Sequence, residues 1–164
     1  MADLTATLPI TVAVASRDRV WVDCLAASLG RRGLRVRELA LAAAAPASAL
    51  AGVDVLVLDT ESLTAEDLAA TAGLRRSFPL VEVVAIAGDS AVADAVRALR
   101  DGVFTVLQHP VADGELLESL VAAGRRHRHA QARFQELDGA GPAGLRRRRR
   151  PPAGAADRGR KGGA

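Results

Sequence analysis

A doubly wound α/β fold with a parallel five-stranded sheet is predicted by three features of this chain. Five short apolar runs alternate with helix-length segments, as in a parallel sheet covered by helices. Three of the runs are apolar almost throughout, which strands buried on both faces must be. The 164 residues suffice for one domain with a sizeable core and not clearly for two.

The first run, ITVAVA (10–15), reads as a strand. The helical pattern DRVWVDCLAASLGRRG follows, with Asp18 as N-cap and Gly33 as its stop. Val20, Cys24, Leu25 and Leu29 are assigned to its core face, with Cys24 as a core residue. The second run, LRVREL (34–39), alternates apolar and charged residues and is placed near an edge. A short, weakly marked helix near 46–51 precedes the third run, VDVLVL (53–58). Thr64 with Asp67 three residues on gives a box-like start to the next helix, which ends before Pro79. VEVVAIA (81–87) is the fourth run. Val92, Val96 and Leu99 then mark a helix closing at Gly102, before the fifth run, VFTVL (103–107). The last helix opens at Asp113, carries Leu116, Leu117, Leu120 and Val121, and is expected to reach about Leu137.

Five such units imply right-handed crossovers and the flavodoxin-like strand order 2-1-3-4-5. Chemistry is then expected outside the carboxyl ends of the strands, at the switch between strands one and three. That places Ser16 and Arg17 beside Asp59, with Ala87 and His109 at the ends of strands four and five.

The composition narrows the class further. One cysteine excludes an internal disulfide framework and fits a reducing compartment. The N-terminus, MADLTATLPI, has an acid where a signal peptide needs positive charge, and no uncharged stretch is long enough to span a bilayer. A cytoplasmic protein is expected. Residues 139–164 hold eight of the 22 basic residues and one of the 19 acids, so they carry +7 against −4 for the rest. This Gly-, Pro- and Arg-rich stretch reads as a disordered basic tail. The run Arg146, Arg147, Arg148, Arg149 and Arg150 is a candidate for binding nucleic-acid phosphates, although it lacks interleaved aromatics and a folded reading head. GRRHRH (124–129) has no recognised metal-ligand spacing and is assigned to the solvated face of the last helix.

Over residues 8 to 125 the chain resembles the receiver domain of bacterial two-component response regulators. The resemblance rests on VDVLVLDTES, a strand running into an acceptor aspartate, and on ALRDGVFTVLQHPVADGELLESL, with Gly102, Pro110 and Leu116 at the family's spacing. It implies a receiver-like domain at 8–125, an extension of the last helix at 126–138 and the tail at 139–164. Asp59 then occupies the phosphoacceptor position, and Pro110 follows a cis peptide bond. The resemblance also implies a histidine kinase or other signalling protein as partner. Docking and homodimerisation would use the surface of the fourth helix, fifth strand and fifth helix.

The family's supporting charges are replaced in this chain. Its pair of metal-binding acids falls on Ser16 and Arg17, its phosphoryl-sensing hydroxyl on Ala87 and its lysine on His109. Lys161, in the tail, is the only lysine. Arg17 could set a guanidinium against Asp59 in place of the metal, or be a solvated loop residue. Asp18, Asp59 and Glu61 could still gather a cation, although Asp18 is equally explained as an N-cap. His109 could hydrogen-bond Asp59 or bond only to nearby backbone. The expectation is an atypical, single-domain response regulator or pseudo-receiver without turnover chemistry, binding Mg²⁺ weakly or not at all. Two alternatives are a nucleic-acid-associated protein acting through the tail and a nucleotide- or flavin-binding enzyme of the same topology. The latter would need a glycine-rich phosphate loop, which ASRDRV does not supply.

Overall fold

The computed structural model describes residues 9–40, 48–88 and 102–147. Residues to Ala130 form one compact unit, and those from Gln131 form another. The elements are β1 (Thr11–Ala15), α1 (Arg19–Arg31), β2 (Arg35–Glu38), β3 (Val55–Asp59), α2 (Ala65–Ser77), β4 (Glu82–Ala87), β5 (Thr105–Gln108) and α3 (Asp113–Arg147). All neighbouring strands are parallel, in the order β2-β1-β3-β4-β5, as the sequence predicts. The predicted helix at 90–101 lies outside the described residues. The short helix expected near 46–51 is not found: residues 48–51 form turns, and 46 and 47 lie outside the described residues.

Alternation along each strand divides the core into two layers. Val12, Val14, Val55, Val57, Val84 and Ile86 face one side, with Leu25 and Leu29 of α1 and Leu116, Leu120 and Ala123 of α3. Ala13, Ala15, Leu56 and Val83 face the other, with Leu39, Leu50, Leu63 and Val81. β2 is an edge strand whose residues are mostly exposed, in keeping with its alternating charges.

The local signals hold. Asp18 caps α1 by accepting from the Trp21 amide, and Gly33 follows the helix at a φ of +86°. Thr64 and Asp67 form the capping box of α2.

Three further expectations are corrected. The buried face of α1 is Val22, Leu25 and Leu29, whereas Val20 and Cys24 are exposed. Each lies two positions from Val22, about 200° round the helix and away from the sheet. The run 124–129 is solvated only in part, because Arg125, Arg126 and His129 are exposed but Gly124 and His127 are buried. His127 Nδ1 lies 2.7 Å from the Leu80 carbonyl oxygen and Nε2 lies 3.6 Å from Asp54 Oδ1. Arg128 donates to Asp54 and to the Pro9 carbonyl, and Arg126 meets Glu82 at 3.3 Å. Asp54, at the amino end of β3, also accepts from the Thr11 amide at 2.8 Å. Basic side chains thus fasten α3 to the sheet end opposite Asp59.

The third correction concerns the tail. The helix runs to Arg147, past the predicted boundary at 138, so residues 139–147 are helical. Extending an existing helix needs no new nucleus, although Gly139, Gly141, Pro142 and Gly144 in this stretch disfavour helix. Residues 148–164, with Arg148, Arg149 and Arg150, lie outside the described residues.

Close packing of α3 on β1 requires glycine at one position. A Cβ on Gly124 would lie 2.8, 2.9 and 3.1 Å from three side-chain carbons of Ile10. Gly124→Ala should therefore destabilise the protein, although alanine gains about 1 kcal/mol of helix propensity. In an Ile10→Ala background the same change should become neutral or stabilising. Urea denaturation of the four proteins checks the reversal of sign.

Candidate functional site

Strands β1, β3, β4 and β5 bring Ser16, Asp59, Ala87 and His109 together at their carboxyl ends. Asp59, the last residue of β3, is only 3% exposed. Its Oδ2 accepts a 2.7 Å hydrogen bond from the Ser16 hydroxyl. Because a carboxylate accepts only, the Ser16 proton is directed at Asp59, and Ser62 Oγ, 3.1 Å from Ser16 Oγ, has both that oxygen and the Asp59 carbonyl at 3.4 Å as acceptors. Ser62 Oγ in turn accepts from the Arg17 amide at 2.9 Å, and Ser16 Oγ from the Asp18 amide at 3.0 Å. Ser16 thus sets a hydroxyl on Asp59 where the resemblance expects an acid.

The other carboxylate oxygen, Oδ1, is buried with no hydrogen-bond partner among the described residues. It faces His109 Nε2 at 3.4 Å. The His109 amide donates to the Ala87 carbonyl at 2.8 Å, holding the imidazole at the end of β5. Its ring meets the edge of Trp21, with centroids 5.8 Å apart. Glu61 is largely exposed, packs on Gly88 and reaches within 3.9 Å of His109 Nε2. The peptide bond between His109 and Pro110 is cis, as the resemblance implies. Of the two sequence readings of His109, the structure sets its ring beside Asp59, while the bond to Ala87 is made by the main-chain amide and not by the imidazole.

Arg17 does not turn to Asp59. Its guanidinium makes a two-pronged contact with Asp67, Nε to Oδ2 at 2.7 Å and Nη2 to Oδ1 at 2.8 Å. Asp67 is buried and already accepts from the Thr64 amide, so it offers a preoriented carboxylate. The arginine ties the β1–α1 loop to the start of α2. The hydrogen bond from Arg17, followed by that from Thr64, holds the Asp67 carboxyl well below the usual carboxylate range, and the same pairing raises Arg17. A depressed carboxyl stabilises the fold at pH values above its unfolded value of about 3.9, and this contribution is lost as the pH falls below that. Asp67→Asn should therefore lower the Tm at pH 6, with the gap to the unmodified protein closing on acidification below about pH 4. Thermal scans across that range check the sign.

A divalent cation does not fit these residues. Asp18 accepts from the Trp21 amide through Oδ1 as the cap of α1, Ser16 supplies a hydroxyl already committed to Asp59, and Arg17 is positively charged. That leaves Asp59 and Glu61, and among the described residues no three His, Cys, Asp or Glu side chains gather where a metal could bind. Asp18, Asp59 and Glu61 are thus not gathered into one three-carboxylate cluster among the described residues. Sequence reasoning missed Ser62, Asp67 and Trp21 as site residues. Of these only Ser62 carried a signal, as a hydroxyl three residues after Asp59 on the same loop.

No family model and no curated protein matches the chain. Solved structures do. A response regulator receiver domain protein from Clostridium thermocellum superposes with a TM-score of 0.62 at 17% identity, covering 74% of this chain and 98% of that one. A protein described as pilus assembly-related, from Burkholderia pseudomallei, gives 0.57 at 27% identity, covering 71% and 90%. One described as adenylate cyclase, from Rhodopirellula baltica, gives 0.66 at 15%, covering 80% and 98%. The strand order, the aspartate ending β3 and these superpositions agree, and the chain has the fold of a response-regulator receiver domain.

Proposed function

We propose that the chain is a pseudo-receiver: a cytoplasmic, non-enzymatic module of two-component signalling that works by docking proteins. One observation carries this reading. Asp59 keeps the phosphoacceptor position, but its carboxylate is engaged by the Ser16 hydroxyl at 2.7 Å and faced by His109 at 3.4 Å. A carboxylate attacks phosphorus only when charge on the transferring group is neutralised, and one hydroxyl with one imidazole is a weak replacement for a cation and a lysine. Burial adds to the barrier, because a 3% exposed carboxylate presents little surface to an incoming donor. The receiver fold supports a histidine kinase or another signalling protein as the partner. Of the expected docking surface, β5 and the first turns of α3 are described.

The test is chemical. Incubation with a small phosphodonor, with and without Mg²⁺, should leave the intact mass unchanged. Addition of one phosphoryl group, absent in Asp59→Asn, would show a working acceptor and overturn the reading.

A further inference from the structure

The parallel order of the sheet sorts the charged residues of the first unit to its two ends. Helices α1 and α2 and the first turns of α3 start at the carboxyl ends of the strands, where Asp18, Glu61, Glu66 and Asp113 accompany Asp59. Cations gather at the amino ends. Arg31 and Arg32 close α1, Arg35 opens β2, Arg125 lies on α3, and all four are exposed. Ile10 joins these elements: its carbonyl accepts from the Arg35 amide at 2.9 Å, and its side chain packs on Gly124, next to Arg125. The acids described at this end, Asp54 and Glu82, are already engaged by Arg128 and Arg126. None of the four exposed arginines has an ion pair or a side-chain hydrogen bond among the described residues. Cations at a helix carboxyl end offset its dipole, which accounts for Arg31 and Arg32. It accounts for neither Arg35, in a strand, nor Arg125, inside a helix that runs on to Arg147.

This surface is cationic, lined by arginine and without an apolar anchor, and these properties select its ligand. A guanidinium grips a phosphate through two parallel hydrogen bonds. Among the described residues before Gln131, the exposed large apolar side chains are Val20 and Leu68, in the first turns of α1 and α2 at the opposite end. A protein partner or an inserted membrane face would need such an anchor here. A single strand would need exposed aromatic rings on which its bases could stack. We propose that this surface binds the phosphate backbone of double-stranded nucleic acid without reading its sequence. The acids of the chain do not cancel it. Residues 1–138 carry −4, but a five-residue strand sets the two ends of the sheet about 17 Å apart, and charges are screened over about 8 Å at physiological salt.

Fluorescence anisotropy of a labelled DNA duplex, titrated with the full chain, tests this. Binding should be weak, with a dissociation constant of about 10⁻⁶ to 10⁻⁴ M, and equal for duplexes of unrelated sequence. Replacing the arginines at 146–150 by alanine removes the contribution of the tail, and this variant should still bind. For four phosphate contacts its log affinity should fall against log salt with a slope of about −3.6. In that background Arg31→Gln, Arg32→Gln, Arg35→Gln and Arg125→Gln should each reduce the slope by about 1, and the four together should abolish binding. All four positions are exposed, so unfolding followed by the single Trp21 should not change. Absence of binding in the tail variant, or binding that survives the four substitutions, would overturn the proposal. So would binding to vesicles of phosphatidylcholine and phosphatidylserine as tight as to the duplex.

Discussion

Leu120→Ala is expected to lower the unfolding free energy by roughly 3–4 kcal/mol, the largest effect of any single truncation considered for α3. Leu120 is fully buried and packs in the cluster that joins β1, β3 and β4 to α1 and α3. Its neighbours there are mostly valine and leucine on a rigid sheet, so the space left by the isobutyl group cannot close by a small movement. The polar contacts of Asp54 with Arg128 and Thr11 anchor the same helix but are partly accessible to water, and their loss should cost less. Urea titrations followed by Trp21 emission check this. The midpoint should fall with an unchanged m-value, and a shift under about 1 kcal/mol would show that α3 is not held by this layer.

Ser16→Asp should have the second largest effect, and one whose sign depends on a cation. Ser16 is 5% exposed and its hydroxyl sits 2.7 Å from Asp59 Oδ2. A carboxylate there would place two negative charges within about 4 Å, a repulsion of about 4 kcal/mol at an effective dielectric constant of 20. It would also forfeit the hydrogen bond that Ser16 now gives. The variant should therefore be markedly less stable than the unmodified chain in the presence of a chelator. Mg²⁺ should recover much of the loss, because a cation relieves the repulsion that created its site. Replacing Arg17 as well is not expected to help. Its guanidinium belongs to Asp67, and an aspartate in its place would face that buried carboxylate. Thermal denaturation of Ser16→Asp with Mg²⁺ or chelator reads the effect, and equal Tm values in the two would contradict it.

The fold was legible because its signals are local. VDVLVL and VEVVAIA are apolar without a break, and they became the two central strands β3 and β4. Asp18, Gly33, Thr64 and Asp67 act on residues three or four positions away, within reach of a reading along the chain. The place of Asp59 at the carboxyl end of β3 followed from the apolar run it closes. What the sequence concealed was partnership at a distance. Asp67 is fully explained as a capping-box residue, yet its carboxylate also accepts both prongs of Arg17, fifty residues earlier. A carboxylate has lone pairs for both tasks, and no spacing rule connects them. The same holds for His127, which a run of basic neighbours made look solvated. It is buried with Nδ1 2.7 Å from the Leu80 carbonyl oxygen and Nε2 3.6 Å from Asp54, both distant in sequence.

The central claim is that the protein's own hydroxyl and imidazole attend Asp59 in place of a cation. Calorimetric titration of the unmodified chain with Mg²⁺, at moderate salt and neutral pH, tests it most directly. No saturable heat is expected across the millimolar range for the unmodified protein, with saturable binding appearing only in Ser16→Asp. A saturable Mg²⁺ isotherm from the unmodified chain that is lost in Asp59→Asn would contradict it, and would return Asp18 and Glu61 to the site as ligands.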